Sequence, residues 1–201
     1  DRTSSGVGLK WERIMDSNFE VDFRFRNIDF DNDTNGLSLV NNGSAGTSAG
    51  SNGEVYITSD EQKLLSRTGT ESTVEFLYTW NLDNKNFIVP SFTYTNHNRD
   101  GAARDNDEVE LKLTHAYWGS KWVVSSNVFI GTALFDQENP VYNKKQDANS
   151  VGAGVNITYK DPFGWKKFGI NANIATAKSD SDIDFYDSEL FVATLGLAYR
   201  F

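Results

Sequence analysis

Apolar and polar residues alternate one by one along most of the 201-residue chain. The pattern is clearest at the C-terminal end, where the odd-numbered positions, which share one face of a strand, are Phe191, Ala193, Leu195, Leu197, Tyr199 and Phe201. The same alternation recurs at 150–160 and 167–178. At 19–26 and 108–117 the positions between the apolar residues are largely charged. Successive side chains of a β-strand point to opposite faces of the sheet. The pattern therefore predicts an all-β protein with one apolar and one polar sheet face.

The alternating segments predict strands near 5–14, 18–31, 72–82, 86–96, 107–118, 121–134, 150–160, 166–178 and 188–201. A further segment, 54–66, has a less regular pattern. Single-chain bacterial membrane barrels usually have an even number of strands. Either this segment completes a barrel of about ten strands, or the chain is the C-terminal part of a larger barrel. If the barrel is complete, both chain ends are expected nearest the periplasm.

Two features favour an antiparallel up-and-down transmembrane β-barrel over a soluble lipocalin-like barrel, whose apolar side chains point inward. First, short connections (82–86, 119–121, 161–165) alternate with longer polar ones (97–107, 135–149, 179–188), as periplasmic turns alternate with external loops. Second, aromatic residues cluster at predicted strand ends, where a membrane barrel has its interfacial girdle. These residues are Trp80, Phe87, Tyr117, Trp118, Trp122, Tyr159, Phe163, Trp165, Tyr199 and Phe201.

The composition narrows the choice of function. A net charge of −9 with scattered Lys and Arg argues against nucleic acid as a partner. The absence of cysteine excludes disulfides, thiolate metal sites and thiol nucleophiles, and no cofactor is predicted. The mean hydropathy of −0.51 is compatible with a membrane barrel, which needs only one apolar face per strand. The whole of 1–201 is predicted to be one domain with a Gly/Ser/Asn-rich loop at about 32–53; because no signal peptide precedes Asp1, the chain is interpreted as mature or trimmed.

The C-terminal segment LGLAYRF resembles the β-signal by which the barrel-assembly machinery engages outer-membrane proteins of Gram-negative bacteria. The longer stretch from ENPVYNKK through SDIDFYD to the terminal RF resembles an uncharacterised domain-of-unknown-function family of outer-membrane β-barrels, and FIVPSFTYTNHNRDGAA extends that likeness. The same C-terminal third is similar, less closely, to the barrels of surface lipoprotein assembly modifiers, whose helical repeats this chain lacks. The resemblance implies an outer-membrane location and an assembly role for Leu195, Leu197, Tyr199 and Phe201. It also implies additional barrel strands upstream.

The polar parity of the predicted strands is expected to face the barrel lumen. Its charged members are Lys10, Glu12, Glu20, Asp22, Arg24, Arg26, Glu75, Glu108, Glu110, Lys112, Lys167 and Arg200. Buried charges must pair or reach water, so these side chains predict either a plugged lumen or a charge-lined pore. Residue types alone leave both open.

Candidate catalytic and metal-binding residues are few. His97, at an external strand end, is the best candidate base of an envelope-lipid hydrolase, but no serine lies two residues away. His115 shares the apolar parity, which indicates an interfacial ring. Alternating aspartates at 29–33 and at Asp180, Asp182 and Asp184 resemble the start of a calcium loop, yet neither run has the Gly and Glu that such a loop requires. No enzyme activity and no metal site is predicted.

The function predicted from these features is a porin-like passive channel for small polar solutes in the bacterial outer membrane. A closed structural or interaction barrel with acidic external loops is the main alternative, and a hydrolase is the third. The expected partners are outer-membrane lipid, lipopolysaccharide and, during biogenesis, the barrel-assembly machinery. The sequence does not decide whether the lumen is open, which solute passes, or what the oligomeric state is.

Deletion of Phe201 is predicted to lower the folded yield in the outer membrane strongly, because the last strand must pair before the barrel has no free edge. Asp182→Ala, a change in a predicted external loop, is expected to leave the yield near normal. Heat-modifiable gel mobility of membrane fractions measures that yield. Equal yields for the two variants would contradict the role given to Phe201.

Overall fold

Twelve strands and one short helix make up the regular structure of the computed structural model, which describes residues 2–13, 18–30, 38–39, 48–49, 55–57 and 59–199. The elements are β1 (Arg2–Arg13), β2 (Asn18–Phe30), β3 (Ser38–Leu39), β4 (Ser48–Ala49), β5 (Val55–Ile57), α1 (Ser59–Lys63), β6 (Gly69–Asn81), β7 (Asn86–Arg99), β8 (Asn106–Trp118), β9 (Trp122–Phe135), β10 (Ala148–Lys160), β11 (Phe168–Ser181) and β12 (Ser188–Tyr199). Three 3-10 turns lie at Ala102–Arg104, Pro162–Gly164 and Asp184–Tyr186. No helix of the described residues is long and apolar enough to cross a membrane.

Nine strands form one antiparallel up-and-down sheet in the order β1-β2-β6-β7-β8-β9-β10-β11-β12. Each main strand pairs with the main strands that precede and follow it in the chain, which confirms the predicted all-β, antiparallel, up-and-down arrangement. In the described residues the order is linear from β1 to β12, so closure into a barrel stays a prediction. Both outer strands run in the same direction. Arg2 and Tyr199 consequently lie at opposite edges of the sheet, not together as expected for a complete barrel.

The alternative in which 54–66 supplies a tenth strand of the main sheet is wrong. Residues 55–57 form β5, which pairs with β3 and β4 in a separate three-stranded sheet, and α1 follows at Ser59–Lys63. The polar side chains of this segment give it neither the length nor the alternation of the nine main strands. β3 and β4 lie within the predicted Gly/Ser/Asn-rich loop, the rest of which falls outside the described residues.

The connections define two edges of the sheet. The turn edge contains 82–85, 119–121 and 161–167, and the loop edge contains 100–105, 136–147 and 182–187 as well as the long connection between β2 and β6. The difference in length is smaller than predicted, because β7, β8, β10 and β11 extend into segments expected to be loops. Pairs such as His97↔Asn106 and Ser179↔Ser188 continue the ladder there.

Burial in the sheet is the reverse of that in a soluble protein. In the central strands, the apolar face is the more exposed one: Ile130, Val151 and Ile174 are each more than half exposed. The polar-face residues between them are only partly exposed. Side chains crowd on the concave side of a bent sheet and spread on the convex side. The pattern therefore indicates a sheet that curves around its polar face.

One interruption breaks the ladder between β6 and β7. The register runs from Gly69↔Arg99 to Leu77↔Ser91 and resumes at Trp80↔Ile88, which leaves a gap opposite Pro90. Proline has no backbone N–H to donate, and it is unusual in a strand that has neighbours on both sides. The pairing of β7 with β8 continues through Pro90↔Leu113.

Gly152 lies on the polar face of β10, beneath the ring of Phe129 on β9. A Cβ at this position would overlap that ring and lie 2.9 Å from the carbonyl oxygen of Thr176. Gly154, two residues along on the same face, has the Asn127 amide nitrogen at 3.3 Å as its nearest neighbour. The chain thus needs glycine at the first position far more than at the second.

Gly152→Ala is expected to lower the free energy of unfolding by about 1–3 kcal/mol, the usual cost of overpacking. Gly154→Ala, the matched control, should change it by less than half as much, because an amide side chain can move aside. Denaturant unfolding of both variants, folded in vesicles, measures the difference. Equal destabilisation would show that Phe129 does not cover Gly152.

Candidate functional site

The polar face has two halves of different chemistry. On β1, β2, β6, β7 and β8 it carries both acidic and basic side chains. On β9 to β12 it carries small or neutral polar residues, including Ser125, Asn127, Gly131, Ser150, Gly154, Asn156, Asn171, Asn173, Ser179, Thr194 and Gly196. The register brings side chains of one half together across neighbouring strands. The charged half is the candidate functional site.

Ion pairs connect the first three main strands. Lys10 Nζ on β1 lies 2.8 Å from Glu20 Oε2 on β2. Arg24 on β2 contacts Asp22 Oδ2 at 3.1 Å and Glu75 Oε2 on β6 at 2.8 Å. These side chains are partly exposed, so each pair alone contributes little to stability. Together they keep opposite charges adjacent along the polar face.

A tighter group, the charged cluster, consists of Arg26, Glu71, His97, Arg99 and Glu108. Glu71 on β6 is its centre and is only 6% exposed. Its carboxylate accepts hydrogen bonds from Arg26 on β2, and its Oε2 lies 3.5 Å from Arg99 Nη2 on β7. The register Arg26↔Glu71↔His97 explains the arrangement, because it aligns the three residues across three adjacent strands. A buried carboxylate is thus neutralised from both sides.

His97 is held by charged neighbours. Arg99 Nη2 donates to His97 Nδ1 at 2.8 Å, which requires that nitrogen to be unprotonated and leaves the ring proton on Nε2. His97 Nε2 lies 3.4 Å from Glu108 Oε1 without hydrogen-bond geometry. The contacts found among the described residues are thus with a guanidinium and two carboxylates. None of them is a hydroxyl that the ring could activate as a nucleophile.

A groove of about 280 Å³ lies beside the charged cluster on the polar face. Hydroxyls of Thr93, Thr95, Ser150 and Ser179 line it together with Glu108 and Glu110. Lys112 Nζ is 3.8 Å from Glu110 Oε1. Hydroxyl and carboxylate oxygens can exchange hydrogen bonds with water and with polar solutes. The groove is chemically suited to hydrophilic small molecules.

Asparagines connect β10 and β11 on the neutral half of the polar face. Asn171 Nδ2 donates to Asn156 Oδ1 at 3.1 Å and to Thr158 Oγ1 at 2.9 Å, and Asn156 Nδ2 donates back at 3.4 Å. Amides that bond to each other carry no net charge. This half therefore offers hydrogen bonds without favouring either sign of ion.

At the loop edge, residues of four connections pack together. Leu65 and Ala103 form a small buried apolar cluster with Leu64 and Val141 against it. Asn139 is buried and donates to the Tyr186 hydroxyl at 3.2 Å, while Arg104 lies 5.7 Å from the centre of the Tyr186 ring. Burial raises the pKa of the nearby Tyr142 hydroxyl, with the Tyr186 phenol as a smaller cause. The loops at this edge are thus ordered by their own contacts.

The sequence model described as "Protein of unknown function (DUF2860)" matches residues 1–200. The chain belongs to the DUF2860 family. A search of curated proteins finds no match. The membership confirms the likeness to an uncharacterised family, whereas the outer-membrane location of that family and the likeness to lipoprotein assembly modifiers stay predictions.

The DUF2860 chain has most of the residues predicted to face a lumen on the polar face. They are Lys10, Glu12, Glu20, Asp22, Arg24, Arg26, Glu75, Glu108, Glu110 and Lys112. Lys167 instead lies in the turn before β11, with φ of 71° and its backbone N–H donated to Asp161 Oδ1, so its predicted place on the strand is wrong. Arg200 and Phe201 lie outside the described residues. Leu195, Leu197 and Tyr199 lie on the exposed apolar face of β12.

The acidic run at Asp180, Asp182 and Asp184 does not converge. Asp180 pairs with Lys178 at 2.6 Å on β11, and Asp184 begins the 3-10 turn that precedes β12. Within the part of the chain that the structure describes, no three His, Cys, Asp or Glu side chains lie close enough together to hold a metal ion.

Glu71 and Arg99 were not predicted from the sequence as polar-face residues, and His97 was considered only as a catalytic base. The strand that contains Glu71 was expected to begin at 72, and the β7 strand was expected to end at 96. Continued alternation from Glu71 through Thr73 to Glu75 could have placed Glu71 on the same face. The contact of Glu71 with Arg26, 45 positions away, depends on the strand register.

Glu71→Gln is expected to lower the free energy of unfolding of the DUF2860 chain by about 2 kcal/mol. The value is below the 3–5 kcal/mol typical of a broken fully buried pair, since Arg26 is half exposed. Glu75→Gln, on the same strand and face, is the matched control and should cost less than half as much, because Arg24 retains Asp22. Urea titrations of vesicle-inserted protein compare the two, and a larger effect at Glu75 would refute the central position of Glu71.

Proposed function

We propose that this protein spans the bacterial outer membrane through its nine main strands, with the apolar face toward lipid, and that its polar face lines an aqueous path for small polar solutes. The observation that carries the proposal is the exposed apolar face. On strands that have neighbours on both sides, Ile130 is 58% exposed, Val151 is 54% exposed and Ile174 is 57% exposed. A surface this apolar is unstable in water and stable in hydrocarbon. The same argument supports the proposed localisation in a membrane.

The dimensions and limits of the apolar face support insertion. The main strands have 12–14 residues, and a tilted strand needs about 9–11 to cross the hydrocarbon core. Toward the loop edge the same face becomes polar, with Asn96 Nδ2 and the Tyr94 hydroxyl both donating to Asp107. Toward the turn edge it ends in aromatic rings, including Trp122 stacked on Tyr159 at 4.4 Å. An apolar band bounded in this way matches the profile of a bilayer.

The polar face supports an aqueous path for a different reason. Its ion pairs keep substantial exposure, as in Lys10 at 53% and Arg24 at 51% of the side chain. Ionised groups in that state need water beside them, since dehydration would cost more than the pairs return. Water beside the face, together with the hydroxyl-lined groove, allows polar solutes to move along it. Lipid and lipopolysaccharide are the proposed surroundings, with the barrel-assembly machinery as the partner during insertion.

Planar-bilayer recording of the folded protein tests the channel. We expect reproducible conductance that Gly154→Tyr, which adds a ring on the polar face, lowers. Ala153→Tyr, one residue away on the apolar face, should leave the conductance unchanged. Absence of conductance from inserted protein would refute the proposed aqueous path and favour the closed structural barrel.

Cysteine labelling verifies insertion and face assignment in the same preparation. Because the natural chain has no cysteine, each introduced one reports a single position. Asn156→Cys and Gly196→Cys are expected to react with a water-soluble maleimide, whereas Ile157→Cys and Leu195→Cys should be shielded by lipid. The reverse result would overturn the membrane orientation itself.

A further inference from the structure

The described connections of the turn edge are basic. These three connections carry Lys85, Lys121, Lys166 and Lys167 against Asp83 and Asp161, and Lys160 precedes the last of them. The three described connections between strands at the loop edge have the opposite balance, with Asp100, Asp105, Asp136, Glu138, Asp147, Asp182, Asp184 and Asp187 against Arg104, Lys144 and Lys145. The net charge of −9 therefore conceals described connections of opposite sign at the two edges.

The two aspartates in the described turn-edge connections stabilise the turns themselves. Asp83 Oδ1 accepts the backbone N–H groups of Lys85 at 2.7 Å and Asn86 at 2.8 Å. These bonds, that of Lys85 first, hold the pKa of the Asp83 carboxyl below its usual value. Asp161 Oδ1 accepts the backbone N–H of Lys167 at 2.9 Å. The carboxylates thus fix the turns while the lysine side chains extend from them.

Three of the lysine ammonium groups at this edge are free to bind an external anion. Lys85, Lys121 and Lys166 are exposed, and none of them takes part in an ion pair of the described residues. Lys160 differs, since its Nζ donates to the carbonyl of Gly119 at 3.2 Å. An unpaired ammonium on an exposed turn can meet an external anion without losing an internal partner.

Tryptophan marks the same edge. The chain has five tryptophans, and all of them lie in turn-edge connections or near the strand ends beside them: Trp11, Trp80, Trp118, Trp122 and Trp165. Each is about half exposed or more. Indole rings prefer the interface between hydrocarbon and headgroups. The lysines consequently lie at the level of the phosphates whenever these rings are at that interface.

We propose that the turn edge binds the phosphate groups of anionic phospholipids, with Lys85, Lys121 and Lys166 as the contacting residues and the tryptophans set just beneath them. The inference rests on the proposed membrane function and adds the lipid class that this edge selects. Charge complementarity and continuity with the apolar band point to a lipid headgroup. The acidic loop edge would repel the same headgroup.

Bromine quenching of tryptophan fluorescence tests the proposal, because every tryptophan reports the turn edge. The protein is reconstituted in vesicles of phosphatidylcholine that contain dibrominated phosphatidylglycerol or dibrominated phosphatidylcholine. We expect phosphatidylglycerol to bind beside the tryptophans with a constant on the order of fivefold larger than that of phosphatidylcholine. This ratio, the relative binding constant, corresponds to the favourable contact of one lysine with an anionic headgroup. High salt should bring it toward one by screening.

Two double variants, each with two lysines replaced by glutamine, compare the two edges of the sheet. Lys121→Gln with Lys166→Gln should lower the relative constant toward one, and Lys144→Gln with Lys145→Gln, at the loop edge, should leave it as in the natural protein. A natural protein that shows equal quenching by both lipids would overturn the inference while leaving membrane insertion intact, as would equal effects of the two double variants. Quenching by neither lipid would overturn the membrane function and this inference together.

Discussion

Backbone hydrogen bonding between neighbouring strands is the interaction on which the rest of this structure depends. In the described residues, buried apolar side chains are few: Ile28, Leu65, Ala103 and Ile183. None of the main-sheet contacts resembles the close-packed interior that stabilises a soluble domain. The backbone ladders from β1 to β12 hold the strands instead. In hydrocarbon such ladders are worth more than in water, because an unpaired backbone group there finds no solvent to replace its partner.

Curvature links that ladder to the charged face. A sheet that bends around its polar face brings those side chains closer together and separates the apolar ones, as their exposure shows. Crowded charges of one sign would oppose the bend. The alternation of Arg26, Glu71 and Arg99 across three strands turns the same crowding into attraction. On β9 to β12 small residues meet the requirement differently, since glycine and alanine leave room where Phe129 covers the sheet.

The local part of this fold could be predicted from the sequence, and the non-local part could not. Alternation identified all nine main strands, because each strand displays its two faces within its own residues. It failed at 54–66, where a few β-forming residues such as Val55 and Ile57 preceded a short helix. It also ended the strands too early beside polar loops, since backbone pairing continues where side-chain alternation stops. The charged cluster was missed for a related reason: Arg26, Glu71 and His97 are far apart in sequence, and only the register of β2, β6 and β7 aligns them.

The gap opposite Pro90 has a mechanical consequence. Every other seam of the main sheet is an unbroken run of paired residues, whereas the β6–β7 seam is divided into a long and a short part. Separating two strands requires breaking their hydrogen bonds in succession. The shorter part of this ladder, with the pairs Trp80↔Ile88 and Asn81↔Phe87, can open from the turn edge while the longer part stays paired. The turn-edge part of the β6–β7 ladder is therefore a place where the hydrogen bonds of two main strands can break independently of the rest of their ladder. The charged cluster lies at the loop-edge end of the same ladder. Its ion pair between Glu71 on β6 and Arg99 on β7 helps to hold these two strands together there.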